Sequence, residues 1–320
     1  MRRCRMSCAV AVAMLVCNGA GAQSYPTKPV RVIVPFAAGG TFDLVARVVS
    51  QSLSEAWKQQ VVVDNRPGGA TLLATELTAK SNPDGYTILL APNSLAANPA
   101  LHKALPYDAA RDLRPVVLLA TQPMALGAHP AFKAGSVREL VDLAKSQPGS
   151  LSYGTAGIGS GGHLAGEIFK SAAGIQVVHI GYKGGNVAMI DVIANQIPLV
   201  MTGLPNLLPQ HKAGKLRILG ITESKRSAVA KDIPAIGETV PGYEFRNWFG
   251  FVVPAGTPKS IVDKINVDAN KALASSETAQ RLLEQGFDIL GGTSGEFAEL
   301  IRTDTIKFAK IIKEAGIRAN

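Results

Sequence analysis

Cysteine is missing from almost the whole sequence. The three cysteines, Cys4, Cys8 and Cys17, all lie within the first 17 residues. If that N-terminal stretch is removed, the remaining chain can form no disulfide, thiolate metal site or cysteine nucleophile. The stability of the mature chain must therefore come from its packed core.

Aromatic and charged residues are also scarce, at 6% and 18% of 320 residues, whereas 47% are hydrophobic. This composition excludes a disordered chain and suits two domains or one large domain. The basic residues are spread along the chain, which, with few aromatics, argues against nucleic acid as a partner. The net charge of +9 becomes +6 without the three arginines of the first five residues, and this mildly favours anionic ligands.

Only the N-terminus carries a sustained apolar run outside the pattern of short strands. Three arginines precede an apolar run at 8–17, and the small residues AGA follow at 20–22. This pattern predicts a secretory signal peptide over residues 1–22, cleaved before Gln23, and hence an exported protein. The run is shorter than the roughly 20 residues of a membrane anchor. Bulky residues before Cys17 disfavour a lipoprotein.

Short apolar runs recur along the rest of the chain, separated by helical patterns. The runs are VRVIVPF, QVVVDN, YTILLAPN, RPVVLLA, SLSYGTAG, QVVHIGYKG, IPLVMTG, LRILGIT and FGFVVPAG. Their alternation with helices predicts an α/β fold with a mostly parallel sheet flanked by helices. A capping box, Thr293 and Glu296, opens the last helix. Two proline-containing breaks, 119–130 and 240–258, are either crossings between two lobes or ordinary loops.

Two glycine loops each follow a strand and precede a helix. The first is PFAAGGTFD (35–43) and the second lies within YGTAGIGSGGH (153–163). Free backbone N–H groups at a helix N-terminus bind anions, so both loops are candidate anion sites. Gly39 is expected to let the backbone approach a ligand closely. Asp43 either caps a helix starting at Leu44 or accepts a ligand amine or hydroxyl.

The second loop matches a dinucleotide fingerprint literally at Gly157, Gly159 and Gly162. No acid occurs between Glu167 and Asp191 to hold a ribose, so we reject this reading. Ser160 and His163 do not lie in a nucleophile-elbow motif, and the sequence does not identify the acid that a serine nucleophile and its base would also need. No metal-ligand spacing is present. We therefore expect no cofactor, no metal and no catalytic residue, with an exported hydrolase-like enzyme using Ser160 and His163 as the alternative.

The sequence resembles the substrate-binding proteins of tripartite tricarboxylate transporters, also called the Bug family. The residues that carry the resemblance are the run at 25–69, which contains the first glycine loop, and then NPDGYTILL, YGTAGIGSGGHLAGE, GYKGG and FVVPAGTP, in this order along the mature chain. The resemblance implies a monomeric, two-lobed periplasmic binding protein that closes on a small carboxylate and delivers it to membrane permease subunits. It implies lobes of 23–123 plus 250–320 and of 124–249. The alternative partner is a signalling protein.

The resemblance also implies where the ligand binds. The stretch IPLVMTG lacks an acid that is often found there in the family. This departure affects the expected far wall of the pocket, where ligand selectivity would lie. The expected ligand-binding residues are Phe36, Ala37, Ala38, Gly39, Gly40, Thr41, Asp43, Ser94, Thr155, Ala156, Gly157, Ser160, His163, Tyr182 and Lys183.

Overall fold

The computed structural model describes residues 25–68, 71–227, 230–314 and 316, so the predicted signal peptide lies outside the described residues. The strands are β1 (Val30–Val34), β2 (Val61–Asn65), β3 (Thr87–Ala91), β4 (Leu113–Ala128), β5 (Ser152–Thr155), β6 (Val178–Gly181), β7 (Leu199–Gly203), β8 (Arg217–Ile221), β9 (Arg246–Pro254) and β10 (Asp288–Ile289). The helices are α1 (Thr41–Trp57), α2 (Leu72–Ala79), α3 (Ser94–Leu101), α4 (Ala109–Asp112), α5 (Val137–Ser146), α6 (Gly161–Ala173), α7 (Gly185–Ile193), α8 (Leu204–Lys212), α9 (Lys259–Ala274), α10 (Ser276–Glu284) and α11 (Ser294–Glu314).

The long strand β4 belongs to two sheet regions. In the first region the order is β2-β1-β3-β9-β4, with β10 also paired to β4. Here β1, β2 and β3 are parallel, and β9 is antiparallel to β3 and β4. In the second region β7 and β8 pair antiparallel with β4, and β5 lies parallel to β7 and β6. The change of partner falls inside β4, because its residues up to Pro123 pair with β9 and those from Met124 pair with β7 and β8.

Side chains alternate across the first sheet and fill a core on each face. Along β1, Val30, Val32 and Val34 pack in one buried cluster with residues of α1, α9 and α10, whereas Ile33 packs in another with residues of α3 and α11. This alternation follows from the period of two residues along a strand. Both faces of the sheet are thus covered by helices, as the continuous aliphatic runs predict.

The second sheet is covered in the same way. Leu126 and Met201 pack with residues of α5 and α6, in the cluster that also contains the α3 and α11 core of the first sheet. Ala125 and Val200 face a separate cluster built with α7 and α8. One apolar core therefore runs along one side of both sheet regions.

All nine predicted strands are present, and the capping box is confirmed. Glu296 N–H donates to Thr293 Oγ1 at 3.1 Å, and Thr293 N–H donates to Glu296 Oε2 at 2.7 Å. The reading of the two breaks as ordinary loops is wrong, because β4 runs through 119–128 and β9 covers 246–254. Pro123 is tolerated in β4 because it lies where the strand changes partners and one ladder hydrogen bond can be missing. Within the described ranges, no helix has the length and apolar character needed to cross a bilayer.

Candidate functional site

Four helices begin around one small cavity. The N-cap and first helical residue are Gly40 and Thr41 in α1, Ser160 and Gly161 in α6, Gly184 and Gly185 in α7, and Gly203 and Leu204 in α8. The cavity has a volume of about 40 Å³, which holds about two or three waters. Its wall consists of Phe36, Ala37, Gly40, Thr41, Phe42, Met124, Ala156, Ser160, Gly161, Gly162, Gly184, Gly185, Asn186, Thr202, Gly203, Asn206 and Asn247.

The four helix starts surround the cavity because of the strands that precede them. Each helix follows a strand, namely β1, β5, β6 or β7, and ligands in such sheets bind beyond the carboxyl ends of the strands. The first-turn N–H groups of a helix have no intrahelical partner and carry a partial positive charge. The wall therefore has N–H donors available at the starts of α1, α6 and α7 and positive potential from all four helices, whereas Pro205 leaves α8 with one N–H fewer.

Glycine is required at these helix starts for packing. A Cβ on Gly162 would collide with the Met201 carbonyl oxygen, and a Cβ on Gly185 would collide with Thr202 Oγ1. The absence of a side chain brings α6 and α7 against the end of β7. The backbone itself therefore forms this part of the wall.

The buried Asp43 carboxylate accepts a backbone hydrogen bond from the first glycine loop. Helix α1 begins at Thr41 rather than Leu44, so Asp43 lies in its first turn. Its Oδ2 accepts hydrogen bonds from Gly39 N–H at 3.0 Å and from Arg47 Nε at 2.9 Å. Burial raises the pKa of the Asp43 carboxyl, but the bonds from Arg47 and Gly39 outweigh it and the pKa is lowered overall. Asp43 is buried and is not part of the cavity wall.

Gly39 has a different role from the one expected. It adopts φ +81°, and a Cβ there would meet no atom within 4 Å. Its N–H is already used by Asp43. Glycine is therefore required for the left-handed conformation rather than for a close approach to a ligand. Ala38 is exposed and, like Gly39, is not part of the wall, whereas Phe36, Ala37, Gly40 and Thr41 line it.

In the second loop, two N–H groups are used internally. Gly157 N–H donates to Thr155 Oγ1 at 3.1 Å, and Gly159 N–H donates to Nδ1 of His163 at 3.0 Å. Ser160 caps α6, because its Oγ accepts the N–H of His163. The loop residues that line the cavity are Ala156 and Ser160. Thr155 and His163 stand behind them and shape the loop.

His163 does not activate Ser160. The Nδ1 lone pair of His163 is taken by the Gly159 N–H, so the other nitrogen, Nε2, carries the proton and lies 3.8 Å from Glu167 Oε1. Burial, together with the charge of Lys170, lowers the pKa of His163 to about 4. The imidazole is held neutral by its surroundings, and the pairing expected for the alternative hydrolase is not formed.

A wider cavity of about 450 Å³ lies beside the first, and Phe36 and Ala156 belong to the walls of both. Gly157, Tyr182 and Lys183 line this wider cavity and not the small one. Three of the predicted residues therefore line a second cavity that adjoins the small one.

Ser94 lies apart from both cavities. It is buried, and its Oγ is 2.7 Å from Thr71 Oγ1. A Cβ built on Gly159 would be 3.7 Å from the Ser94 Cβ, so Ser94 packs behind the second loop.

The contribution of β6–α7, β7–α8 and β9 to the wall was not predicted from the sequence. GYKGG contains a third strand–glycine–helix start. Gly203 and Leu204 join strand and helix with only one glycine, which is a weak signal. The missed wall residues are Phe42, Met124, Gly161, Gly162, Gly184, Gly185, Asn186, Thr202, Gly203, Asn206 and Asn247.

Every polar side chain in the wall of the small cavity is neutral. Among the described residues, the wall contains no Lys, Arg, His, Asp or Glu. No group of three His, Cys, Asp or Glu side chains in the described part of the chain could hold a metal ion. The polar groups that this wall can offer to a ligand are therefore backbone N–H groups, hydroxyls and amides.

Comparison with known proteins gives the family. Residues 45–317 match the model described as "Tripartite tricarboxylate transporter family receptor". Protein BugT of Bordetella pertussis is 32% identical over 300 residues, covering 93% of this chain and 92% of BugT. The solved structure of R. palustris Rpa4515 with adipate is 34% identical, with a TM-score of 0.88 and coverage of 92% of this chain and 99% of that chain.

A further solved structure, MatC (Rpa3494) from Rhodopseudomonas palustris with bound malate, is 27% identical, with a TM-score of 0.85. The match covers 90% of this chain and 100% of the MatC chain. The family match and the relatives each extend over most of the chain. The chain belongs to the tripartite tricarboxylate transporter receptor family of periplasmic solute-binding proteins.

Proposed function

We propose that this protein captures a small carboxylate in the cavity where α1, α6, α7 and α8 begin, and delivers it to the membrane subunits of a tripartite transporter. The convergence of four helix N-termini on one cavity without a charged side chain is the observation that carries the proposal. A carboxylate fits this site because it offers several acceptor lone pairs to N–H donors.

The energy available is sufficient for a receptor. A hydrogen bond to a charged group contributes about 1.5–3 kcal/mol. Micromolar binding requires about 8 kcal/mol. Three or four N–H donors from the helix starts contribute about 4.5–12 kcal/mol together, and the upper part of this range reaches the required figure without an arginine in the wall.

The narrow cavity implies that a ligand enters only when the two sides of the site move apart. Loop 36–41 belongs to the first sheet region, and the other three helix starts belong to the second. We propose that residues 23–123 with 250–320 and residues 124–249 are lobes that close by a hinge motion. The partner change inside β4, between Pro123 and Met124, supports a boundary at this place.

The ligands of two relatives support the ligand class. The solved structures of Rpa4515 and MatC contain adipate and malate, both small carboxylates. Transfer to permease subunits, export through cleavage before Gln23, and the absence of catalysis are parts of the same proposal. Sequencing the N-terminus of the protein recovered from the periplasm tests the cleavage, since it should begin at Gln23.

A thermal-shift panel tests carboxylate binding. Acetate, propionate, lactate, succinate, malate, adipate and citrate are compared with neutral amides such as succinamide. A ligand at 100 times its Kd stabilises the protein by about 2.7 kcal/mol. We expect at least one carboxylate to raise Tm while its amide does not. No shift with any carboxylate, or equal shifts with amides, would contradict the proposal.

A further inference from the structure

Two amide side chains lie side by side beneath the small cavity. Gln122 of β4 and Asn247 of β9 are directly opposite each other in the antiparallel register. Opposite residues of an antiparallel pair project to the same face, with Cβ atoms about 4.5–5.5 Å apart. Both residues are buried, at 0% and 2% exposure. Asn247 is itself part of the cavity wall.

These amides have unused hydrogen-bonding capacity. Within the part of the chain that the structure describes, no group hydrogen-bonds to Oε1 or Nε2 of Gln122 or to Oδ1 of Asn247. A buried polar group left unpaired is costly, and most buried side-chain polar atoms in proteins are paired. Two such groups next to each other, one of them in the wall of the small cavity, indicate a ligand group that completes them.

Both amides touch helix starts that line the cavity. A Cβ on Gly203 would be 2.5 Å from Gln122 Nε2 and 2.8 Å from Thr41 Cγ2. A Cβ on Gly161 would collide with Asn247. The amides therefore occupy the space that side chains at these glycines would take, directly against helix starts that line the cavity.

The neutral character of the wall restricts what the amides can recognise. An ammonium group would lack an acidic partner among the described wall residues. A hydroxyl both donates and accepts, which matches the carbonyl oxygen and NH₂ group that each amide offers in either orientation.

We propose that Gln122 and Asn247 are specificity-determining residues that recognise a hydroxyl group on the ligand, so that the preferred ligands are small hydroxycarboxylates. This inference rests on the proposed function, since the helix starts hold the carboxylate. A site built to hydrogen-bond a hydroxyl discriminates strongly against the analogue without it, because its polar groups are then left unpaired.

The test compares matched acids that differ by one hydroxyl. Isothermal titration calorimetry of the mature protein measures malate against succinate and lactate against propionate, with both enantiomers of each hydroxy acid. We expect the better hydroxy acid of at least one pair to bind about tenfold or more tightly than its deoxy partner. A smaller preference in both pairs overturns the inference.

Two variants locate the preference. Gln122→Met keeps the side-chain volume, and Asn247→Ala avoids a clash with Gly161. Each variant should reduce the preference for the hydroxy acid over its deoxy partner to about threefold or less, mainly by lowering the affinity for the hydroxy acid. Retention of the full preference in both folded variants overturns the assignment to these residues. If one variant does not fold, the other variant tests the assignment. The ratio of the affinities of the wild-type protein for hydroxy acid and deoxy acid tests the inference without either variant.

The two proposals fail in different ways. If succinate and propionate each bind as well as their hydroxy acids, or if acetate and adipate are the only carboxylates of the panel that bind, the hydroxyl inference falls and carboxylate binding stands. If no carboxylate binds at all, the proposed function falls and the inference falls with it.

Discussion

The imidazole of His163 stacks on that of His179, with ring centroids 3.9 Å apart and an interplanar angle of 26°. His179 Nε2 is also 2.7 Å from Oγ1 of Thr155, the residue at which β5 ends and the second loop begins. The stacked pair therefore supports the loop from behind. Two stacked imidazoles pack well only when they are not both charged.

This pair predicts that the protein loses stability in mild acid. Burial lowers the pKa of His163 to about 4 and, with the neighbouring His163, lowers that of His179 to about 3. In the unfolded chain both titrate near 6.5. The unfolded state therefore binds more protons below that pH, and stability is full above about pH 6.5 and falls towards pH 4. Each imidazole should remove about 1.4 kcal/mol per pH unit in this range.

Urea unfolding between pH 7.5 and 4.5 measures this slope. His163→Asn is a suitable comparison, because its Oδ1 can still accept the Gly159 N–H but does not titrate. The variant should show a shallower pH dependence. An identical slope in both proteins would mean that other groups cause the acid loss.

Asp43 is expected to act through the first loop rather than on the ligand. Asp43→Asn weakens the bonds to Gly39 N–H and to Arg47, so we expect a loss of about 1–2 kcal/mol of stability and weaker carboxylate binding. Arg47→Gln is the control. The Arg47 side chain is 56% exposed, so its loss should have a smaller effect. Full stability with lost binding in Asp43→Asn would instead indicate a direct ligand contact.

Ser160 should behave as a helix cap. Ser160→Ala removes the acceptor for the His163 N–H and should cost about 1 kcal/mol, whereas Ser160→Gly should cost only a few tenths. Denaturant melts of the two variants measure the difference. An ester or amide hydrolysis activity that disappears in Ser160→Ala would restore the enzyme alternative.

The strands and the last helix could be predicted because their patterns are local. The apolar run of β1 and the capping box at Thr293 are visible in the sequence and determine their own structure. The continuity of β4 through Pro123 could not be predicted, because it depends on which strands pair on either side. The two-residue β10 is too short to show alternation.

The candidate site was predictable only where a glycine loop stands out. Loops 36–41 and 155–160 show the strand–glycine–helix pattern. The contribution of Asn247 depends on β9 lying opposite β4, which is a long-range pairing that the chain does not display locally. Gly39 was predicted from the sequence as a site residue, but its role was not, because that role depends on the backbone angle φ.

Two adjacent alanines of the first loop test directly whether the carboxylate binds in the small cavity. Ala37 lines the small cavity, whereas Ala38 is exposed and outside it. Isothermal titration calorimetry measures the carboxylate with the largest thermal shift against wild type, Ala37→Leu and Ala38→Leu. Ala37→Leu should fill the cavity and abolish binding. Ala38→Leu should bind within about threefold of wild type, since surface substitutions usually change free energies by about 0.5 kcal/mol or less. Unchanged binding in a folded Ala37→Leu protein, or equal loss in both variants, would contradict it.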